Sequence, residues 1–338
     1  MPAIAQTFPL FFLNRGRQRQ GFVNGGFDIW QRGVLFTLSA GAVYTADRFR
    51  YANNGGAGTK EASIYNILPT EAPAEDNIAN AIEISRVSIT GESSEDTFGQ
   101  RVPGVDFGAG KAISIGMWMW SDADEVIASL KATQNFGTGG TPSASVTTTI
   151  ASSIQITATP TFYTFTLTLP SIVGKTLGTN YDDFLDIAIG FGLNDDILLY
   201  TTGWQLNTGT SVLPFQRKSR GDELANCLLF FERLNTEGNL MPWPVMAWDT
   251  THVWGNIQFS QKFRPPHTIS TSAISNFGYW KDGYARSFDS VVWDYADARI
   301  TTIQGKFVVS YDPGTRGTPY VWNSADAPEG YIDIDCEL

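Results

Sequence analysis

Histidine is nearly absent: His252 and His267 are the only two in 338 residues. A Ser-His-Asp or Cys-His constellation would have to use one of them, and neither lies in a nucleophile-elbow context. Cysteine is as scarce. Cys227 and Cys336 are too few for a disulfide framework, and they read equally as two buried free thiols or as one bridge. Cys227 falls on the apolar stripe of a helical pattern and Cys336 on the inward side of a strand pattern, so each reads as core and not as a nucleophile. No two ligand-type residues show metal spacing, so neither a metal nor a cofactor is expected. Charge is also in short supply, at 17% of residues, and its balance of −11 repels phosphate backbones, which argues against nucleic acid as a partner. No stretch is long and apolar enough to cross a bilayer, so a soluble chain without membrane insertion is expected.

What is plentiful points one way. Hydrophobic residues make up 42% of the chain and aromatics 13%, with abundant Thr and Gly, a balance that suits half-buried strands and turns better than solvated helices. All-β is the expected class. The first 23 residues differ from the rest. No acidic residue precedes Asp28, and an apolar cluster including Phe8, Phe11 and Phe12 is followed by Arg15, Arg17 and Arg19. That charge order is the reverse of a secretory signal. A basic, apolar leader on an acidic body is expected to be a docking arm that covers its apolar residues on a partner protein or a sister subunit.

Strand patterns dominate the rest of the chain. In GKAISIGMWMW, Ile113, Ile115, Met117 and Met119 alternate with Ser114, Gly116, Trp118 and Trp120, which predicts a strand covered on both faces, by the chain's own loops or by another subunit. Residues 132–174 hold no Asp, Glu, Lys or Arg. Within them YTFTLTL turns Tyr163, Phe165, Leu167 and Leu169 inward and Thr164, Thr166 and Thr168 outward. Uncharged Thr-rich strands are an aggregation hazard at a free edge, so these are expected to be paired or covered, oligomerisation being one way. DIAIGFGLNDDILLY reads as two strands joined at Leu193–Asp196, with a further strand at Gly203–Leu206. The one helical pattern covers Ser219–Leu234, with Ser219 and Asp222 as a capping box and Leu224, Cys227, Leu228 and Phe231 as its stripe. At the end, Ile332, Ile334, Cys336 and Leu338 alternate with Asp333, Asp335 and Glu337, a strand with one wet face. The division read from this is a docking arm at 1–23, a first β-domain at 24–218, and a helix with a C-terminal β-domain at 219–338.

Candidate sites are few. Glu92, Glu95 and Asp96 in GESSEDTFGQ and Asp182 with Asp183 are the carboxylate clusters that could serve glycoside hydrolysis, but loop acids of this kind are usually solvated, and no enzyme is expected. Calcium at Asp182, Asp183, Asp195 or Asp196 has no EF-hand spacing behind it. The RGD at 220–222 sits at a helix start, where geometry and dipole account for it. Aromatics crowd the C-terminal part, and Trp280, Tyr284, Trp293 and Tyr295, in loop-like segments with adjacent charges, are the candidates for stacking on a glycan. A subunit interface would use them equally well.

NGGFDIWQRG at 24–33 followed by YTADRFRY at 44–51 resembles the opening of a family of tailed-bacteriophage virion proteins of the tail-fibre or minor structural type, whose pattern is close to NG-x-FDIWQRG and then YTADRW. GWQLNTGTSVLPFQRKSRGDELANCLLFFERL is similar to that family's W-Q-L-E-x-G and G-E-E-L-A-x-C-x-R-Y-Y signature, and GYIDIDCEL to its terminal strand. Phe49 stands where Trp is usual, Asn207 where Glu is usual, and Phe230-Phe231 where a Tyr pair is usual. The resemblance implies a jelly-roll domain like those of carbohydrate-binding modules, then a smaller β-rich domain, in a trimeric virion appendage assembled in the host cytoplasm. Its partners would be other virion proteins, sister subunits and a host surface glycan. A receptor-binding adhesin, a capsid decoration protein and a polysaccharide depolymerase are the other roles it leaves open. NGGFDIWQRG itself reads as the corner where the arm ends and the body begins, with Gly25 and Gly26 supplying unusual backbone angles and Asp28 and Arg32 available to pair.

Overall fold

Period-two alternation becomes strand almost everywhere the sequence carries it, in a computed structural model that describes residues 20–38, 41–235, 240–258, 260, 268–273, 278–281, 284–287, 289–294, 302–308, 319–323 and 331–337. The arm residues Phe8, Phe11, Phe12, Arg15, Arg17 and Arg19 lie outside the described residues, as does Tyr295. The body starts slightly earlier than residue 24. Phe22 is only 1% exposed within the core, and Gly21 N–H donates to the Leu206 carbonyl at 2.6 Å.

The first part is a jelly-roll sandwich. Its strands are β1 (Leu35–Thr37), β2 (Gly41–Tyr44), β3 (Phe49–Asn53), β4 (Ala57–Asn66), β5 (Asn80–Thr90) and β6 (Thr97–Pro103). There follow β7 (Ala112–Trp120), β8 (Glu125–Asn135), β9 (Val146–Ile156), β10 (Thr161–Thr168), β11 (Phe184–Gly190) and β12 (Ile197–Thr208). They form two antiparallel six-stranded sheets, ordered β1-β4-β5-β12-β7-β10 and β2-β3-β6-β11-β8-β9. Ile113, Ile115, Met117 and Met119 are all buried in the space between the sheets, facing residues such as Leu130, Ile187 and Ile189 from the second sheet. The opposite face of β7 is covered by the chain itself: a Cβ on Gly116 would lie 2.6 Å from both Phe162 and Val212.

The uncharged stretch forms the last strand of each sheet, β9 in one and β10 in the other. Thr164, Thr166 and Thr168 are exposed, as the alternation predicts. Each of the two strands is therefore paired on one side only within the described chain.

β11 and β12 are the two strands expected on either side of Leu193–Asp196, and because they lie in different sheets that turn is an arch between layers. Two expectations change. Gly203–Leu206 is no new strand: β12 runs through it with a bulge between Thr202 and Gln205, where Gly203 takes φ +64°, a left-handed angle that costs glycine little. The helix α1 (Arg220–Cys227) has Ser219 as its cap, accepting from Asp222 N–H at 3.1 Å, yet it stops well short of Leu234. Phe231 belongs instead to β13 (Phe231–Asn235). The aromatic run favours a strand here because antiparallel pairing with the C-terminal strand sets Arg233 directly opposite Asp333, at 2.6 Å, and buries Phe231.

The remaining strands are β14 (Leu240–Asp249), β15 (His252–Gln258), β16 (Thr268–Thr271), β17 (Gly278–Lys281) and β18 (Tyr284–Ser287). The last are β19 (Ser290–Asp294), β20 (Thr302–Val308), β21 (Pro319–Asn323) and β22 (Tyr331–Asp335). Strands β13-β22-β16 make a three-stranded sheet, and β18-β17-β21-β14-β15-β20-β19 a seven-stranded one. The expected wet face of the terminal strand is largely covered, with Asp335 keeping a third of its side chain exposed. Asp335 meets Arg32 at 3.0 Å, Glu337 meets Arg48 and Arg32, and the two guanidinium groups lie 3.5 Å from the Phe231 and Phe230 ring centres. Alternation reports which face is polar, but it cannot report that arginines some 300 residues away will cover it.

NGGFDIWQRG is the corner that joins these parts. The left-handed angles fall on Asn24 (φ 60°) and Phe27 (φ 52°), not on the two glycines. Asn24 makes that possible by bonding across the corner, its side chain donating to the Ile29 and Asp47 carbonyls and accepting from Ile29 N–H. Gly25 serves close approach, since a Cβ there would collide with the Trp204 carbonyl oxygen. Asp28 pairs with Arg217 at 3.0 Å, leaving Arg32 to the C-terminal strand.

Candidate functional site

The carboxylates singled out in the sequence have structural partners. Glu92 and Asp96 are not solvated; their side chains are fully buried between Lys60 and Arg86, with Lys60 Nζ 2.8 Å from Glu92 and 2.6 Å from Asp96 and Arg86 2.5 Å from Glu92. Tyr51 donates to Asp96 at 2.8 Å. No substrate reaches an acid enclosed in this way. Glu95 lies apart, on Lys131 at 2.5 Å. Asp182 accepts from Thr138, Asp183 from Val105 N–H and Asp196 from Ile89 N–H, so these acids secure turns. Among the described residues no group of three or more His, Cys, Asp or Glu could hold a metal ion.

The nucleophile candidates are equally committed. Cys227 and Cys336 are buried and form no disulfide, and burial pushes the Cys227 thiol well above its ordinary range, so it holds no thiolate at neutral pH. His252 Nδ1 lies 2.7 Å from Asp249 in the turn between β14 and β15. Of the aromatic candidates, Trp280 on β17 and Tyr284 on β18 share a hairpin at one edge of the seven-stranded sheet. Trp293 is on β19 at the other edge, with four strands between. The strand order therefore does not bring the three together.

It does bring together aromatics of the first domain. On the face of the first sheet that points away from the core, cross-strand register sets Glu83, Tyr200 and Trp120 in one row and Thr202, Trp118 and Phe162 in the next, while Tyr65 pairs with Ala81 beside them. The rings meet. Trp120 and Tyr200 stack with centroids 5.4 Å apart at 16°, Tyr65 lies 4.8 Å from Tyr200 and edge-on to Trp120 at 6.0 Å, and Trp118 lies 5.4 Å from Phe162. These spacings are those of favourable aromatic pairs. The result is a ribbon of five rings running across the strands from β4 to β10.

The segment between β4 and β5, including a 3-10 turn at Ala72–Asp76, frames this ribbon with acids. Tyr65 Oη donates to Glu71 at 2.8 Å, and Glu71 is itself held by Leu68 N–H at 2.6 Å. Trp118 Nε1 donates to Asp76 at 3.0 Å. Beyond the end of β7, Asp122 is exposed on the far side. Tyr65, Tyr200, Trp120, Glu71, Asp122 and Pro160 line a depression of about 320 Å³, near the lower end of small-molecule sites. Burial, with Glu71 adding to it, pushes the Tyr65 phenol up to about 12, and burial with Glu83 does the same for Tyr200. Both phenols therefore stay protonated donors at any physiological pH.

The sequence carried half of this signal. Alternation in GKAISIGMWMW separates Trp118 and Trp120 from the core face, but Tyr65, Tyr200 and Phe162 belong to other strands, and only the sheet order makes them neighbours. Trp120 and Tyr200 are buried and stacked on each other, whereas Tyr65, Trp118 and Phe162 stay half-buried. Chemically, half-buried rings beside carboxylate acceptors suit a sugar, whose axial C–H groups stack while its hydroxyls bond.

No protein-family model matches the chain, and no curated protein matches its sequence. Solved structures give weak likenesses. The enzymatically active domain of tailspike protein 4 from bacteriophage CBA120 is 13% identical, with a TM-score of 0.32, over 56% of this chain and 22% of that one. This chain thus spans about a fifth of the tailspike structure's length. A xylan-binding domain from Paenibacillus barcinonensis is 9% identical with a TM-score of 0.31, over 57% of this chain and 99% of its own. A family 11 carbohydrate-binding module of a Clostridium thermocellum cellulase is 12% identical with a TM-score of 0.29, over 52% and 98%. The jelly-roll sandwich rests on its own strand order and not on these likenesses.

Proposed function

We propose that this chain is a non-enzymatic, glycan-binding structural subunit of a tailed-phage particle, holding a host sugar on the outer face of its first sheet. The observation that carries the binding half is the depression beside Tyr65, lined by the Glu71 and Asp122 carboxylates, with the half-buried Trp118 and Phe162 rings on the same face. The phage setting rests on the order of the three sequence motifs. Calorimetric titration of the purified chain with an oligosaccharide panel is expected to find a ligand, and Tyr65→Ala to weaken it about tenfold or more, the equivalent of some 1.4 kcal/mol. Circular dichroism of the variant should be unchanged. Affinity that survives the substitution, or a panel without a single ligand, removes the site; release of reducing ends removes the non-enzymatic reading.

The structural half concerns self-association. β9 and β10 end their sheets on the same stretch of uncharged sequence, and two copies of a chain with net charge −11 meet with least repulsion there. Thr149 and Thr166 are exposed on those strands. Replacing both by lysine should shift the sedimenting species from trimer to monomer at micromolar concentration. A wild-type chain that sediments as a monomer at the same concentration rejects this half.

A further inference from the structure

Taking that sugar site as given, we infer that its depression selects neutral saccharides and rejects those bearing carboxylate, sulfate or phosphate. The lining is polarised in one direction. Glu71 and Asp122 stand on it, and Glu83 sits next to Tyr200 in the strand register, whereas none of the residues lining it is Lys, Arg or His. Glu71 cannot turn away to make room for an anion, because Tyr65 Oη and Leu68 N–H hold both of its oxygens at 2.8 and 2.6 Å. The same bonds fix it as an acceptor. A neutral sugar offers hydroxyl donors that such carboxylates accept, while an anionic one brings its own charge against the held Glu71 and the exposed Asp122, with no counter-ion among the residues lining the depression. The net charge of −11 adds a long-range field of the same sign. Selection of this kind works by repulsion as much as by attraction.

The test is a set of matched pairs: neutral trisaccharides built on galactose, glucose and mannose, each against its uronate twin, which differs only in oxidation at C6. Titrated into the full chain at low ionic strength, each uronate should bind at least tenfold more weakly than its twin. That gap should narrow in half-molar salt, where exposed charges are screened, and in Asp122→Asn. A uronate that binds as tightly as its twin overturns the inference and leaves the sugar site standing. Binding by no member of the set overturns the sugar site and the inference with it.

Discussion

Arg86→Met is expected to destabilise the sandwich by about 3–5 kcal/mol, the usual cost of removing one partner from a buried ion pair. Four charges balance at one end of the core. Arg86 bonds Glu92 at 2.5 Å, lies 3.6 Å from Asp96, and donates to the Gly192 and Asp195 carbonyls at 3.3 and 3.0 Å, with Phe191 packed against its guanidinium. Lys60 bonds the same two acids and the Gly55 carbonyl. Without Arg86, two carboxylates would share a single lysine, and the carbonyls of the arch between β11 and β12 would lose their donors. A urea titration should show a lower midpoint with an unchanged slope. The double variant Arg86→Met with Glu92→Gln should recover part of the loss, because it removes the uncompensated charge and leaves only the lost bonds and packing. A single-variant loss below about 1 kcal/mol would mean that water already reaches this cluster.

The same cluster sets a pH signature. Burial alone would raise the Glu92 carboxyl, but hydrogen bonds from Arg86, Lys60 and Asn194 N–H outweigh it and hold the group at about 2, against an ordinary 4.5. A depressed carboxylate stabilises the fold fully above its unfolded value, and that contribution is lost as pH falls from about 4.5 towards 2. In Arg86→Met part of this restraint is gone, so the difference in stability between wild type and variant should shrink as acid is added.

Trp204→Ala is expected to cost a similar amount, about 3–5 kcal/mol, for a different reason. Trp204 is fully buried, with ring centroids 5.8, 5.4 and 5.8 Å from Phe22, Phe49 and Phe98, and its Nε1 donates to Thr201 at 2.8 Å. Truncation leaves a large void that rings anchored on three other segments cannot fill, and it removes the hydrogen bond that the Thr201 hydroxyl accepts, while that hydroxyl keeps its own donation to the Trp118 carbonyl. The consequence extends to the entry corner. Trp204 N–H donates to the Gly25 carbonyl at 3.0 Å and its own carbonyl accepts from Gln20 at 2.9 Å, so loosening β12 at the bulge frees residues 20–27. Hydrogen exchange should accelerate at Gly21 and Phe27, whose amides bond to Leu206 and Asn24. Trp204→Phe, which keeps a ring in the site, should cost clearly less. Equal losses for the two variants would place the energy in the indole hydrogen bond and not in the packing.

Local chemistry was legible residue by residue. The inward set of β7, the outward threonines of β10, the Ser219 cap and the inward Ile332 and Ile334 of β22, with Cys336 just beyond it, all follow from backbone period and side-chain type. The departures from expectation share a cause too. Phe231 fits a helical stripe that runs to Leu234, yet the helix ends at Cys227 because β22, a hundred residues later, offers Phe231 a strand partner. Glu92 and Asp96 have a polar local sequence that suggests solvation, whereas Lys60 and Arg86 arrive from two neighbouring strands to neutralise them. Trp280, Tyr284 and Trp293 suggest one site because they are close in sequence, and the strand order spreads them to opposite edges.

By itself, then, the sequence determined the class and much of the texture of this protein: an all-β chain, its face-by-face alternation, an uncharged pair of strands and a turn-rich opening corner. Those properties depend on neighbours within a few residues, and a period of two states them directly. Which strands lie side by side was decided only in the tertiary structure, because pairing is a contest between distant segments for the same hydrogen bonds and the same apolar surface. The latch on Asp335 and Glu337, the enclosed acids and the ribbon of rings from Tyr65 to Phe162 all arise at that level. Each is built from residues whose own stretches of sequence say nothing of one another.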